Sequence, residues 1–523
     1  MVEERENGHS ENKMNAQSAA NGREPTVAAP APKPDSAQKG HAPAAPDRTL
    51  RMGTESIPKL IIEFSIPAIV GMLVNGAYNV IDSIFLGQAM GELGLSVATA
   101  AMPIMTVFMA LGMLIGNGGN ALAALRLGEG RRDEAEKSLG NTVCLGIIMA
   151  VIVAIVANIP ACMEGLLSLS SATPEIHDLT YQFIYIISLG FVFQVIGMGV
   201  NNFIRTAGAP NRALLTMLVG TLSCIVLNFL FVIVFGWGVQ GSALATVLGQ
   251  AVSCVSVLWY FLLTKGVPFK LRAKCLKLEA GVVGYIFSLG AASFIMQVAM
   301  SVINFLINYL LVFYGSQSPL GAEEALASIG VVQRCAMFAV LPLIGVSIAI
   351  QPLLGYNYGA RKLARVKQTL GYGILGATIL GTLLWVLVLV FPHEIVNFFG
   401  IRDDALRDFT AFALNVQLVM LPFVGFQIVS SNYFQATGQP MKSIILSLTR
   451  QVLFLIPLLI VLPIFLPSLV PSLTSLDAIY FATPGADALA IFTSLLFVVH
   501  ELKRLKKMES GSLPSKFGNA AVN

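Results

Sequence analysis

Asn75, Asn79 and Asp82 stand at i, i+4 and i+7 on one helical face of an otherwise apolar stretch, with Tyr78 beside them. A carboxylate at the centre of a membrane span costs roughly 2.5–3.5 kcal/mol to insert, so it usually lines an interior or cavity and serves function. The chemistry open to it is uptake and release of a proton or a small cation. Its bland alternative is an interhelical hydrogen bond that only holds helices together. The stripe returns in the second half of the chain as Gln297, Ser301 and Asn304, with Asn308 one turn further. Asn cannot take up and release a proton as a carboxylate does, so an ion-coupling carboxylate is expected in the first copy. Thr216, Gly220, Cys224 and Asn228 recur every four residues in a later apolar stretch, and Ser242, Thr246 and Gln250 in the next. With Asp82 they offer oxygens suited to Na⁺ or to a protonated carboxyl, although small-residue helix packing explains either stripe alone. The expected coupling set is Asp82, Asn79, Cys224, Asn228 and Thr246, with Na⁺ at Asp82 as the alternative to a proton and no other metal.

A bilayer must position these residues. Of 523 residues, 55% are hydrophobic and 12% charged, and the mean hydropathy is +0.74. Soluble domains carry about 25% charged residues. Apolar runs near 20 residues recur from Ile57 to Val499, long enough to cross a hydrocarbon core of about 30 Å. The fold class is therefore an all-α polytopic membrane protein of about twelve spans. They fall near 57–88, 96–126, 138–160, 178–205, 212–235, 239–264, 281–314, 325–356, 368–391, 405–436, 441–466 and 484–502.

Lys and Arg cluster after spans two, six, eight and twelve, whereas most alternate connections nearly lack them; Arg402 and Arg407 are the exception. The positive-inside rule then puts both termini in the cytoplasm, and the expected location is a bacterial cytoplasmic (inner) membrane. Residues 1–55 are polar and rich in Ala and Pro, with no apolar signal segment, and are expected to form a disordered cytoplasmic tail.

Internal repeats divide the remainder. NNFIRTAGAP (201–210) is echoed by SNYFQATGQP (431–440), and IGNGGNALAALRLGEGRRDEA (115–135) by IGVSIAIQPLLGYNYGARKLA (344–364). The second alignment pairs Gly130 with Gly359. Two pseudo-symmetric six-helix lobes around a central cleft follow, 56–265 and 281–508, joined by a basic cytoplasmic linker at 266–280 and ending in a tail at 509–523.

Asn75, Gln297, Asn304, Asn308, Arg334, Met72 and Met296 are the candidates for lining a substrate cleft, and Pro67 for bending the first span. Arg334 stands out as a second charge within the spans. It is open to three readings: facing the cleft, paired with a partner, or snorkelling to an interface. Six cysteines form no CxxC, and five histidines lie in the tail, loops or helix ends. Neither a resident metal nor a nucleophile–base pair suggests itself, so no cofactor and no enzyme activity are expected. Expected partners are a small-molecule drug or metabolite and the lipid bilayer, with no nucleic acid, and the chain is expected to be a monomer.

IPAIVGMLVNGAYNVIDSIFLG, the GxP helix end after span four and QPLLGYNYGARK resemble the MATE (multidrug and toxic compound extrusion) transporters, nearest the bacterial MepA/DinF-like branch. The resemblance covers about 55–505. It implies an antiporter that exports organic cations or amphipathic drugs in exchange for H⁺ or Na⁺. It further implies that Asp82 is the acidic residue of the first helix, Pro67 the proline before it, Asn228 one of a fifth-helix pair and Thr246 the sixth-helix threonine. Cys224 departs from that pair and removes an oxygen, which favours H⁺. A flippase for lipid-linked or other amphiphilic metabolites is the alternative, and it would call for more cationic residues than Arg334 alone.

Overall fold

The computed structural model describes residues 48–169, 176–318, 321–399, 403–471 and 473–510. The tail up to residue 47, the segment from 511 onward and Arg402 lie outside the described residues.

The described chain is helical throughout and forms an all-α polytopic membrane protein. In order it runs α1 (Arg48–Thr54), α2 (Ile57–Met90), α3 (Glu92–Gly128), α4 (Arg132–Ala157), α5 (Pro160–Leu169), α6 (His177–Thr206), α7 (Pro210–Asn228) and α8 (Gly238–Leu263). It continues with α9 (Ala280–Gly315), α10 (Ala322–Gly359), α11 (Leu363–Val390), α12 (Pro392–Phe398), α13 (Asp404–Leu418) and α14 (Leu421–Ala436), then α15 (Pro440–Leu448), α16 (Ile456–Leu469) and α17 (Ser475–Glu509). Among the described residues, eleven helical stretches are long and apolar enough to cross a membrane. The pair α13 and α14, bent by 41° at a break before Pro422, makes a twelfth. A sequence window reads that pair as one span because the break leaves hydropathy unchanged. Large apolar side chains such as Ile66, Val151, Trp259 and Leu383 are exposed along the spans, as a surface solvated by lipid requires.

Both repeat turns close as their residues dictate. Gly208 and Gly438 adopt φ of 78° and 73°, open to glycine without a Cβ penalty. Pro210 and Pro440 then stand at the first positions of α7 and α15, where a missing N–H costs nothing. The fifth membrane helix of each half also widens, nearer its opening proline in the second half than in the first. α7 passes into a π-helical turn at Phe229–Val234, and α15 passes into α16 through another at Thr449–Leu455.

The register of the second repeat differs from the sequence alignment. The left-handed residue after α3 is Gly130 (φ 78°), and its counterpart after α10 is Arg361 (φ 55°) rather than Gly359. Gly359 instead matches Gly128, and the two meet across the halves. A Cβ on Gly128 would run into the Tyr356 carbonyl, and one on Gly359 into the Leu125 carbonyl. The contact is reciprocal, as in a two-fold interface. Asn120 and Gln351, 231 residues apart in the chain, bond to each other beside it at 3.1 Å.

Further contacts between the halves lie toward this same end, which bears Arg126, Arg131 and Lys362. Gly290 of α9 packs its backbone on Leu114, and Gly345 of α10 packs on Ile69. Asn117 donates to Ser293 Oγ at 3.1 Å, and Gln435 donates to the same oxygen at 3.2 Å. Short α1 adds a strap. The sequence reading gives Arg48–Thr54 to the tail, yet Met52 is buried. Asn357 and Arg365 donate to the Met52 carbonyl, and Lys362 donates to that of Gly53 at 2.8 Å. Arg51 pairs with Glu55 and Glu63, and the Arg51 guanidinium holds the Glu55 carboxyl down to about 2.

Candidate functional site

Asp82 lies on α2 four turns after Pro67, facing α7 and α8. Asn228, the last residue before the π-helical turn, donates its amide to Asp82 Oδ1, and Ser242 Oγ donates to the same oxygen at 2.9 Å. One turn back on α2, the Tyr78 hydroxyl lies 2.8 Å from Thr246 Oγ1. Cys224 Sγ donates to the Thr246 carbonyl at 3.7 Å. Three helices therefore converge on one carboxylate, which has no ion-pair partner among the described residues. A π-helical turn follows directly on Asn228, and such turns are frequent at functional sites.

One atom gives the arrangement its chemical meaning. Asn228 Oδ1 is buried and has no hydrogen-bond partner. A buried acceptor without a donor costs about 1–3 kcal/mol, which a proton on the neighbouring carboxyl or a bound cation would relieve. The donors offered to a cation are the oxygens of Asp82, Asn228, Ser242 and Thr246. Cys224 contributes sulfur, a soft ligand ill matched to Na⁺. Among the described residues no cluster of three or more His, Cys, Asp or Glu side chains could hold a metal ion.

Of the expected coupling set, the structure gathers Asp82, Asn228, Cys224 and Thr246 and leaves Asn79 out. Asn79 is exposed and bonds back to the Asn75 carbonyl on its own helix. Ser242 takes the place expected for Asn79, and Tyr78 joins through Thr246. The cleft candidates lie on α2, α9 and α10. Asn75, Met296, Asn304 and Asn308 are exposed, Met72 and Gln297 half-buried. Gln297 reaches only Met109 Sδ, at 4.0 Å. Arg334 is exposed and makes no hydrogen bond or ion pair among the described residues. It lies one turn from Met337, which sits over Gly76 of α2, so it shares the face of α10 that meets the first half.

Two charges that the sequence reading passed over lie deep in the second half. Arg450 Nε donates to Asp487 Oδ1 at 2.6 Å, so Arg334 is not the lone second charge within the spans. Both residues fall inside the predicted spans, and that alone was signal enough to find them.

Because Tyr78 and Thr246 hold the rim of the Asp82 site, Thr246→Val is expected to lower severalfold any transport that runs through that carboxylate, without loss of folded protein. A single hydrogen bond of about 1 kcal/mol sets that scale. Initial rates in proteoliposomes check it.

A family model described as MatE matches residues 67–230 and again 292–461, once in each half. The multidrug export protein MepA of Staphylococcus haemolyticus is 26% identical over 468 residues, covering 88% of this chain and 96% of that protein. The solved structure of the MATE multidrug transporter DinF-BH is 32% identical, with a TM-score of 0.76, over 86% of this chain and 96% of that one. An outward-facing MATE family transporter of the MOP superfamily, 22% identical, shares the fold at a TM-score of 0.80, over 88% of this chain and 98% of that one.

Proposed function

The chain belongs to the MatE family, and from that premise we propose that it is a secondary active antiporter exporting organic cations or amphipathic drugs by alternating access, in exchange for protons taken up at Asp82. The observation that carries the coupling role is the lone carboxylate beside a buried acceptor that lacks a donor. A proton on the free Asp82 oxygen gives Asn228 Oδ1 a donor, and its departure leaves a charge held by Asn228 and Ser242. Each state thus favours a different packing of α2 against α7 and α8. A ligand or proton shifts a conformational equilibrium only through such a difference in affinity.

H⁺ is favoured over Na⁺ because the oxygen set is small and Cys224 stands where another oxygen would complete it. Drug export follows the relatives, whose names describe multidrug export and multidrug transport. The exposed Met296, Met300 and Met337 supply an adaptable apolar wall for such substrates. A flippase is less favoured, since Arg334 is the one cation among the residues expected to line the cleft. With the basic end taken as cytoplasmic by the positive-inside rule, the close contacts at Gly128 and Gly359 support reading this as the outward-facing state with both termini cytoplasmic. Transport here needs no cofactor and no catalytic residue, and we take one copy of the chain as the working unit.

The test is efflux of ethidium from proteoliposomes under H⁺ and Na⁺ gradients imposed separately. A proton gradient alone is expected to drive it. Efflux that responds to Na⁺ alone would replace the ion, and no gradient-driven efflux under either would overturn the antiporter reading.

A further inference from the structure

α1 belongs to the first half by chain connection and to the second by its bonds. Only Glu55 and Ser56 separate it from α2, and Ser56 is extended, with φ −62° and ψ 132°. Yet α1 packs on α10, and side chains of the second half take the carbonyls that end it. A helix leaves its last carbonyls without internal partners. Here the Met52 carbonyl accepts from Asn357 at 3.0 Å and from Arg365 at 3.1 Å. The Gly53 carbonyl accepts from Lys362 at 2.8 Å, and that of Glu55 accepts from Arg365 at 2.6 Å. Lys362 and Arg365 thereby bring positive charge to the end of α1 that favours it. The receiving side chains also hold one another, since Arg365 Nε donates to Asn357 Oδ1 at 3.1 Å. Gly53 fits there for want of a side chain. A Cβ would stand 2.9 Å from both the Tyr356 ring and Lys362 Nζ.

The tie back to the first half is weaker. Arg51 reaches Glu63 of α2 at 2.8 Å, but both side chains are partly exposed, and such surface pairs contribute little. The bonds to the second half come from charged donors, and one carbonyl they reach belongs to buried Met52. Four bonds therefore join residues 357–365 to a segment two residues from α2. Gly359, whose backbone meets Leu125 of the first half, lies in that same stretch. Two linking residues reach about 7 Å at most when extended. So α2 cannot withdraw far from α10 at this end while α1 stays bound.

We propose that α1 is a latch on the basic end. It has to leave the Asn357–Arg365 surface before the halves can part there, and its bonds favour the closed form. This rests on the alternating-access reading above. The latch takes no part in holding the ion or the drug, and it sets only how often this end opens.

The test reads labelling, from the basic side, of a cysteine placed on the buried face of α10 in the full-length protein, with neither drug nor gradient. Arg365→Met removes two of the four bonds to α1, and Gly53→Val displaces α1 through the Tyr356 ring. Losing bonds from a charged donor moves a two-state equilibrium about tenfold. Labelling is expected to rise by about that factor in each variant. Val257→Cys, buried in the core of the first half, reports loss of fold and is expected to stay protected in both. Should Gly53→Val fail to fold, Arg365→Met decides, because it adds no bulk. Labelling that stays at the wild-type level in folded Arg365→Met overturns the latch. Gly359→Val, which strains the contact between the halves directly, separates the latch from the reading beneath it. A rise in Gly359→Val alone strikes the latch and leaves alternating access standing. A rise in none of the three strikes the opening of this end, and the alternating-access reading with it.

Discussion

Asp82→Asn is expected to abolish gradient-driven export while leaving a folded transporter that still binds its substrate. Asn matches Asp in shape, and its Oδ1 can keep the bonds from Asn228 and Ser242, so the junction of α2, α7 and α8 has no cause to collapse. What disappears is the group that takes up a proton. The efflux rate should then fall to that of empty vesicles under any imposed proton gradient, a loss well beyond tenfold. Substrate-induced quenching of tryptophan fluorescence should persist. A variant that pumps at the wild-type rate would remove Asp82 from the coupling role.

Gly359→Val is expected to open the basic end. Its Cβ would drive into the Leu125 carbonyl and lie 3.1 Å from both Glu129 N and Gly128 Cα, all of them backbone atoms with no rotamer to escape into. Overpacking of this kind costs about 1–3 kcal/mol, a shift of roughly 5- to 150-fold between two conformations. The strain falls on the sealed state alone, so labelling of a cysteine placed on the buried face of α10 from the basic side should rise by that factor, and transport should slow. Gly371→Ala is the control, because no neighbouring atom lies within 4 Å of the added methyl. Equal labelling of the two variants would show that the Gly128–Gly359 contact does not gate this end.

Sequence patterning made the helices, the repeat and the membrane-embedded carboxylate legible, because burial cost and charge distribution are properties of single residues in a known solvent. Partner choice was less legible. Asn75, Asn79 and Asp82 share a helical face, but that face is wide, and the contacts follow its edge at Tyr78 and Asp82 while Asn79 turns outward. Ser242 reaches Asp82 where the sequence offered only a stripe of similar small residues. Arg450 and Asp487 were each legible as charges inside a predicted span, but their pairing was not, because only the packing of α17 against the π-helical turn brings them together. The GYNYGA segment read as a recognisable string. Its purpose emerges only from three dimensions, where Gly359 receives the opposing backbone and Asn357 holds the strap at Met52.

The π-helical turns also carry a date. Such a turn amounts to a residue more than a regular helix would use. A turn copied when the gene doubled would keep its distance from the proline that opens the helix, yet the first begins at Phe229, well past Pro210, and the second at Thr449, far nearer Pro440. The two insertions therefore arose separately, after the halves had parted. The acids tell the same story. Asp82 sits on the opening helix of its half and Asp487 on the closing helix of the other, so they are not copies of one residue. The frame was inherited, and each half acquired its widened turn and its charge afterwards.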